Sequence, residues 1–442
     1  MIMKTCLPFL FCGLALFFSA HAAAPKTTAF VNVSVLPMDT DRVLTKQTVV
    51  VTGDRIVQVG STAATTIPAD ARRIDGTGKF LLPGLGDMHG HNPPPGSDPE
   101  YIERVYFLFV AQGVTTVRSM LGWPGQLELR SQVASGAMIG PTLHLAGPAF
   151  TGNGPTATQL PSAAVLRVNQ QKAEGWDLLK VLPGLKRDVY DAMAQTADAA
   201  GIRFAGHIPA DVGLAHALER RQQTVDHVDG YIEYLGADTG PVDPVKLDEI
   251  VRRTREAGTA VVPTMVLWET IIGAADLSAM MTYPELRYMP AKEVERWQGV
   301  FTRRTANEKF DRARALRIAA NRKIVLKALA DGGATILFGT DSPQEFSVPG
   351  FSVAREMRAN VAAGLTPYQV LSSATKDIGE FMKAKDRFGL VAPGHRADLL
   401  LLEANPLADI GNIAKRSGVM LRGQWLPATD LDARLAKIAA NP

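Results

Sequence analysis

Between Thr28 and Leu82, apolar and polar positions alternate in short bursts. Phe30-Val31-Asn32-Val33-Ser34-Val35-Leu36 has the two-residue period of a half-buried strand. The β-branched runs 47–52 and 55–59 flank a Gly53-Asp54 turn, the pattern of a hairpin. The same signature returns near the other end, at 397–402 and 418–425. Between these ends the period changes. Apolar strand-like runs at 87–91, 116–120, 143–146, 178–182, 204–207, 225–228, 261–266 and 336–340 are separated by helical stretches such as 188–200, 213–220 and 243–257. Eight strands alternating with helices predict an α/β fold, a (β/α)8 TIM-type barrel. The economical arrangement inserts that barrel, 83–385, into a small β-sandwich domain formed by both chain ends, 25–82 and 386–442. The longest connection, 268–333, predicts an additional helical excursion over the barrel mouth.

The first residues stand apart. Lys4 is their lone charge, the run 6–18 is apolar, and Ala20-His21-Ala22 puts small residues at cleavage positions. This predicts a signal peptide over 1–22 and a secreted or periplasmic protein. Both cysteines, Cys6 and Cys12, fall inside it, so the processed chain offers no thiol nucleophile and no thiolate ligand. A net charge of +3 over 442 residues gives no basic field for nucleic acid and no attraction to a membrane surface once the leader is removed. A small-molecule substrate is the expected partner, and a homo-oligomer stays open.

Only eight histidines exist, and their placement carries the chemistry. His89 and His91 sit two apart at the end of the first barrel strand, where residues i and i+2 face the same side and can share a metal. His207 ends the fifth strand and His227 the sixth, and Asp341 follows the eighth in Gly339-Thr340-Asp341. All therefore fall at strand ends on the face where barrel sites are built. Lys180 ends the fourth strand between apolar neighbours. A lysine facing cations is an unpaired charge beside more positive charge, a conflict that addition of CO2 resolves by making a carbamate able to bridge two metals. His144, His216 and His395 read as structural. Asn92, Tyr231, Met265 and Trp268 follow strand ends and are the candidates for substrate contact.

With these residues the sequence resembles the amidohydrolase superfamily, in the binuclear-metal branch that includes imidazolonepropionase-like proteins and Xaa-Pro dipeptidases. Phe80-Leu81-Leu82-Pro83-Gly84-Leu85-Gly86-Asp87-Met88-His89-Gly90-His91 is similar to its approach to the first strand. Gly389-Leu390-Val391-Ala392-Pro393-Gly394-His395-Arg396-Ala397-Asp398 and Asn405-Pro406-Leu407 are similar to its return to the β domain. The resemblance implies two divalent metal ions, zinc foremost. His89, His91 and Asp341 would hold the first, His207 and His227 the second, and the Lys180 carbamate would bridge them. It implies a metal-bridging hydroxide, with Asp341 as proton shuttle, cleaving a C–N amide bond of an N-acyl amino acid or dipeptide. An ester, lactone or phosphotriester is the alternative on the same metals, and a non-enzymatic metal-binding barrel a remote one. The chain departs from many members at Thr151-Gly152-Asn153-Gly154-Pro155, where they carry Gly-Gly-His. A stiff Asn92-Pro93-Pro94-Pro95-Gly96 loop follows the first strand. The basic residues Arg303, Arg304, Lys309, Arg312, Arg314, Arg317 and Arg322 of the excursion predict a carboxylate on the substrate.

Overall fold

The structure, a computed structural model, describes residues 26–94, 96–383 and 386–441; the expected leader, with both cysteines, lies outside them. Five strands from the first part of the chain, β1 (Thr27–Val35), β2 (Leu44–Thr52), β3 (Arg55–Ser61), β4 (Arg72–Asp75) and β5 (Phe80–Pro83), precede the central parallel strands. Those are β6 (Leu85–Gly90), β7 (Val114–Ser119), β8 (Thr142–Leu145), β9 (Leu178–Val181), β10 (Arg203–Gly206), β11 (Thr224–Asp226) and β12 (Ala260–Val262). The chain ends with β13 (Leu399–Leu402), β14 (Arg416–Leu421) and β15 (Gln424–Pro427) and a helix, Ala428–Ala440.

Both chain ends pair into one eight-stranded sheet in the order β15-β14-β13-β5-β1-β2-β3, with β4 beside β1, where two facing sheets were expected. The reason is β1, which bonds β2 along one edge and first β4, then β5, along the other, so no break separates the layers. The sheet curls on itself: Ile56 donates to the His395 carbonyl at 3.0 Å, and Ala397 to that of Asp54 at 2.7 Å. The four leucines of β13 explain how it meets the rest. Leu399 and Leu401 fill the small core with Phe30, Val49 and Met420, whereas Leu400 and Leu402 join the large core around the central strands. A strand buried on both faces needs no polar alternation.

The central strands form two parallel sheets, β6-β7-β8 and β9-β10-β11-β12. Backbone bonds join them. Gly147 donates to Leu178 O at 2.9 Å and Phe150 to Lys180 O at 2.8 Å on one side; Leu337 donates to Val261 O at 2.9 Å and Met88 to Phe338 O at 2.8 Å on the other. The parallel runs thus follow one another round a ring, the order that a TIM-type barrel requires. The expected eighth strand shrinks to a bridge between Ile336 and Val261. Farther along, Thr340 gives its backbone N–H and its hydroxyl to the Asp87 carboxylate at 3.1 and 2.5 Å, so a side chain replaces a ladder partner there.

Helix boundaries follow local chemistry. Asp98 caps Pro99–Ala111 and Asp243 caps Pro244–Ala257, each followed by proline at the first helical position, where no N–H is needed. The excursion contains Met265–Ile271, Leu277–Met280, a 3-10 turn at Pro284–Tyr288, and Ala291–Thr305, before the long helix Arg312–Asp331 returns to the ring. Among the described residues no helix is long and apolar enough to cross a membrane.

Candidate metal centre

Six side chains proposed from sequence line one cavity of about 290 Å³: His89, His91, Lys180, His207, His227 and Asp341. Each sits in or just after a different segment of the ring, apart from the i, i+2 pair on β6. His89, His227 and Asp341 bring ligand atoms within 4.8 Å of one another, a group able to hold a metal ion. His89 Nε2 is 3.6 Å from Asp341 Oδ1, and His227 Nδ1 is 3.6 Å from Asp341 Oδ2. His91 Nε2 lies 2.6 Å from Asp341 Oδ1, and Lys180 Nζ 3.4 Å from His89 Nε2. The rings of His207 and His227 are 4.6 Å apart. The tightest triad therefore draws on both ligand sets that the sequence suggested, because His227 leans across the ring toward Asp341.

Local backbone geometry produces this convergence. His227 and Asp341 have φ of 64° and 58°, with Val228 and Thr264 also in the left-handed region. Such conformations cost free energy in non-glycine residues and persist where the surroundings enforce them, commonly at functional sites. At Gly206, just before His207, a Cβ would collide with the Val181 carbonyl oxygen and lie 3.0 Å from Lys180 Cδ, so glycine is what lets this strand end close on β9 and its lysine.

The donor set fits a divalent cation. Burial holds both His89 and His227 well below the ordinary imidazole pKa, aided next by the Lys180 charge at His89 and by the neighbouring His89 and His207 rings at His227, so both are neutral and able to ligate. Burial also lowers the pKa of Lys180, against the pull of Asp226 and Asp341, which favours its nucleophilic free amine. Imidazole and carboxylate donors suit zinc, as well as manganese, cobalt or iron.

Several residues around this set were not singled out from sequence. Asp226, fully buried, lies 3.0 Å from His89 Nδ1 and accepts from Thr224 Oγ1 at 2.7 Å. Arg118, also buried, spans the ring interior from the Met88 carbonyl at 2.7 Å to Thr224 Oγ1 at 3.0 Å, with Asp226 Oδ1 at 3.5 Å. Asp229 Oδ2 lies 2.5 Å from His207 Nδ1, and Gln344 Nε2 donates to Asp341 Oδ1 at 2.5 Å. Asp87, under the site, accepts the His89 N–H, and burial pushes its carboxyl up to about 7. Asp87 and Asp226 could have been noticed as carboxylates flanking the histidine motifs. Asp229 and Gln344 carry no local signal, since each acts on a ligand through a loop.

Of the four candidates for substrate contact, Trp268 alone lines the cavity, stacking on His227 at 4.7 Å and 12°. Tyr231 is buried with its hydroxyl on Thr254 at 2.8 Å, facing the helix Pro244–Ala257. Met265 starts its helix with its N–H on Glu356 and its Sδ near Arg322, so it packs rather than lines. Asn92 is buried with its backbone N–H on Ser119 and is not on the cavity wall. His216 pairs with Asp191 at 2.6 Å, away from the cavity, and neither His144 nor His395 reaches it.

The basic excursion gives no support to a substrate carboxylate. None of the seven cationic residues singled out there lines this cavity. Arg304 binds both oxygens of Glu345, at 2.7 and 2.8 Å, Arg314 pairs with Asp238, and Arg322 donates to the carbonyls of His227 and Pro263. Arg303 and Lys309 are exposed.

Solved structures share this architecture. A Xaa-Pro dipeptidase with bound methionine aligns with a TM-score of 0.68 and 20% identity over 91% of this chain and 100% of its own. Bottromycin amidohydrolase gives 0.74 and 22% over 94% and 91%. The A. niger ochratoxinase gives 0.67 and 17% over 91% and 96%. No curated protein sequence matches the chain. At these identities the likeness speaks for the fold. The sequence profile of the amidohydrolase family, however, matches residues 80–426, from β5 through the histidine strands and back into the terminal sheet. On that match the chain belongs to the amidohydrolase family.

Proposed function

We propose that the chain hydrolyses C–N amide bonds with two divalent cations, zinc the first choice, held by His89, His91, Lys180, His207, His227 and Asp341. The observation that carries this reading is the approach of His89, His227 and Asp341 to within 4.8 Å beside a buried lysine. Family membership supports a metal-dependent hydrolase, and the names of two solved relatives, a dipeptidase and an amidohydrolase, favour carbon–nitrogen chemistry. The resemblance points to amides of the N-acyl amino acid or dipeptide kind, so these form one arm of the screen beside amides that carry no carboxylate. The barrel would span 83–385 between the two halves of the β domain, and the leader over 1–22 would direct the protein to a secreted or periplasmic location.

Each group then has a task. When bound, the cations would lower the pKa of water from about 16 toward about 7 and polarise the scissile carbonyl. Asp341, its Oδ1 held by His91 and Gln344, takes the proton of the attacking water and returns it to the leaving amine, base and then acid. The free Lys180 amine adds to CO2: a bond forms from Nζ to carbon, a proton leaves, and the resulting anion offers two oxygens. Asp229 holds His207 by Nδ1 and leaves Nε2 as the remaining donor.

Elemental analysis of protein incubated with metal and bicarbonate is expected to find two cations per chain; one or none would overturn the bridged site. A hydrolysis screen of the same protein over amides, esters, lactones and phosphotriesters tests the bond, and turnover confined to the last three would overturn the amide reading. Asp229→Ala is expected to weaken metal binding about 10–100-fold, the scale for loss of a partner that orients a ligating histidine. Titration with a competing chelator measures it, and unchanged affinity would mean that His207 is positioned by packing alone.

A further inference from the structure

The ionisable residues on the cavity wall all belong to the proposed metal set. Among the described residues the rest of the wall is Met120, Leu121, Leu182, Trp268 and Ile271, together with Gln344, whose amide is already engaged by Asp341. These apolar side chains come from different places: 120 and 121 follow β7, 182 follows β9, and Trp268 and Ile271 lie one turn apart on one face of the helix Met265–Ile271. Trp268 is anchored by its stack on His227 and by the Arg322 guanidinium 5.5 Å from its ring, so it forms a fixed wall.

Charge points the same way. Among the described residues Lys180 is the one Lys or Arg on this wall, and the proposed bridge engages it. Of the excursion cations, Arg304 is bound at both ends of its fork by Glu345, and Arg312 donates to the carbonyls of Gly273 and Ala275. The proposed metals are required at the scissile carbonyl. A substrate carboxylate placed against this wall would give up its water and gain no unpaired cation, whereas an aliphatic or aromatic group would gain by leaving water.

We propose that the site selects amides whose group beside the scissile bond is uncharged and apolar, seated against Leu121, Leu182, Trp268 and Ile271, over amides that carry a free carboxylate there. The inference deepens the amide reading above and rests on it for the bond cleaved. It names a substrate class that the family assignment leaves undetermined.

The test compares N-acetylphenethylamine with N-acetylphenylalanine, which differ only by the carboxylate, and with N-acetylethylamine, which lacks the ring. Metal-loaded protein is expected to favour the phenethyl amide at least about tenfold in kcat/KM over both, given that a single methylene in an apolar pocket is worth roughly 10-fold or more. Leu121→Ala and Ile271→Ala are expected to shrink the phenethyl-to-ethyl ratio. That ratio cancels differences in the fraction of loaded enzyme and so survives partial loss of metal or fold. Calorimetric binding of the same three compounds reads the preference without turnover. Equal or tighter handling of the carboxylate compound, or an unchanged ratio in both variants, would overturn the proposal. Cleavage of phenethyl acetate with no amide cleaved would overturn the amide reading instead, and the ratio of phenethyl to ethyl acetate would then decide the apolar preference.

Discussion

Lys180→Ala is expected to lose most turnover, and formate, acetate or propionate to restore part of it. The lysine is about 1% exposed, lies 3.4 Å from His89 Nε2 and packs beside Gly206, where a Cβ would come within 3.0 Å of its Cδ. Truncation removes the proposed anionic bridge and leaves a hole the length of the side chain and its CO2. Metal affinity should fall by more than the roughly 10–100-fold that follows loss of an outer partner. Lys180 lines the cavity with both proposed ligand sets, so a small carboxylate could supply two oxygens where the proposed carbamate would. The measurement is kcat/KM of metal-replete variant and parent against added acid, with metal content determined alongside. Rescue in the variant without acceleration of the parent is the expected result. A variant as active as the parent in the absence of acid would show that Lys180 is not a bridge, and loss without rescue by any of the acids would favour a lysine needed only for packing or charge.

Asp341→Asn is expected to retain much of the bound metal and to lose about 10²–10⁴-fold in kcat, the usual contribution of a general acid–base group. An amide oxygen still ligates, and the partners His91 and Gln344 remain in reach of the side chain, but an amide cannot carry a proton between attacking water and leaving amine. Steady-state kinetics with metal analysis separates the two roles. A variant within a few-fold of the parent would move the shuttle to another group, and a variant that binds no metal would make ligation the dominant role of this carboxylate. The backbone at Asp341 is left-handed, a conformation asparagine tolerates better than most residues, so the substitution suits the fold.

Much of this organisation could be read from residue order. The hairpin around Gly53-Asp54 and the β-rich final segment follow from two-residue periodicity, and the helix Arg187–Ala200 begins one residue from the expected start. The spacing of His89 and His91 put both imidazoles on one side of a strand, because side chains in a strand alternate whatever the strand packs against. Lys180, His207, His227 and Asp341 were visible for a related reason: polar residues closing apolar parallel runs must emerge at the same end of the ring. Local pattern was weaker just past the strand ends. Tyr231 and Met265 are close in sequence to His227 and to the end of β12, yet each opens a helix, where direction turns by about 100° per residue and nearness along the chain no longer fixes what a side chain faces.

What the sequence by itself determined was therefore the alternation of strands and helices, the pairing of strands from both ends into one sheet, and six polar residues that meet at one cavity. The tertiary structure decided the rest. It joined eight terminal strands into one curled sheet through β1, drew His89, His227 and Asp341 into the closest triad, and set Asp229 on His207 and Gln344 on Asp341. It also turned the basic residues of the excursion toward Glu345, Asp238 and backbone carbonyls, away from the cavity. The physical reason is the range of the forces involved. Periodicity and turn chemistry act within a few residues and leave a trace in order, whereas hydrogen bonds and ion pairs form between groups brought together by packing, such as Arg118 and Asp226, 108 positions apart.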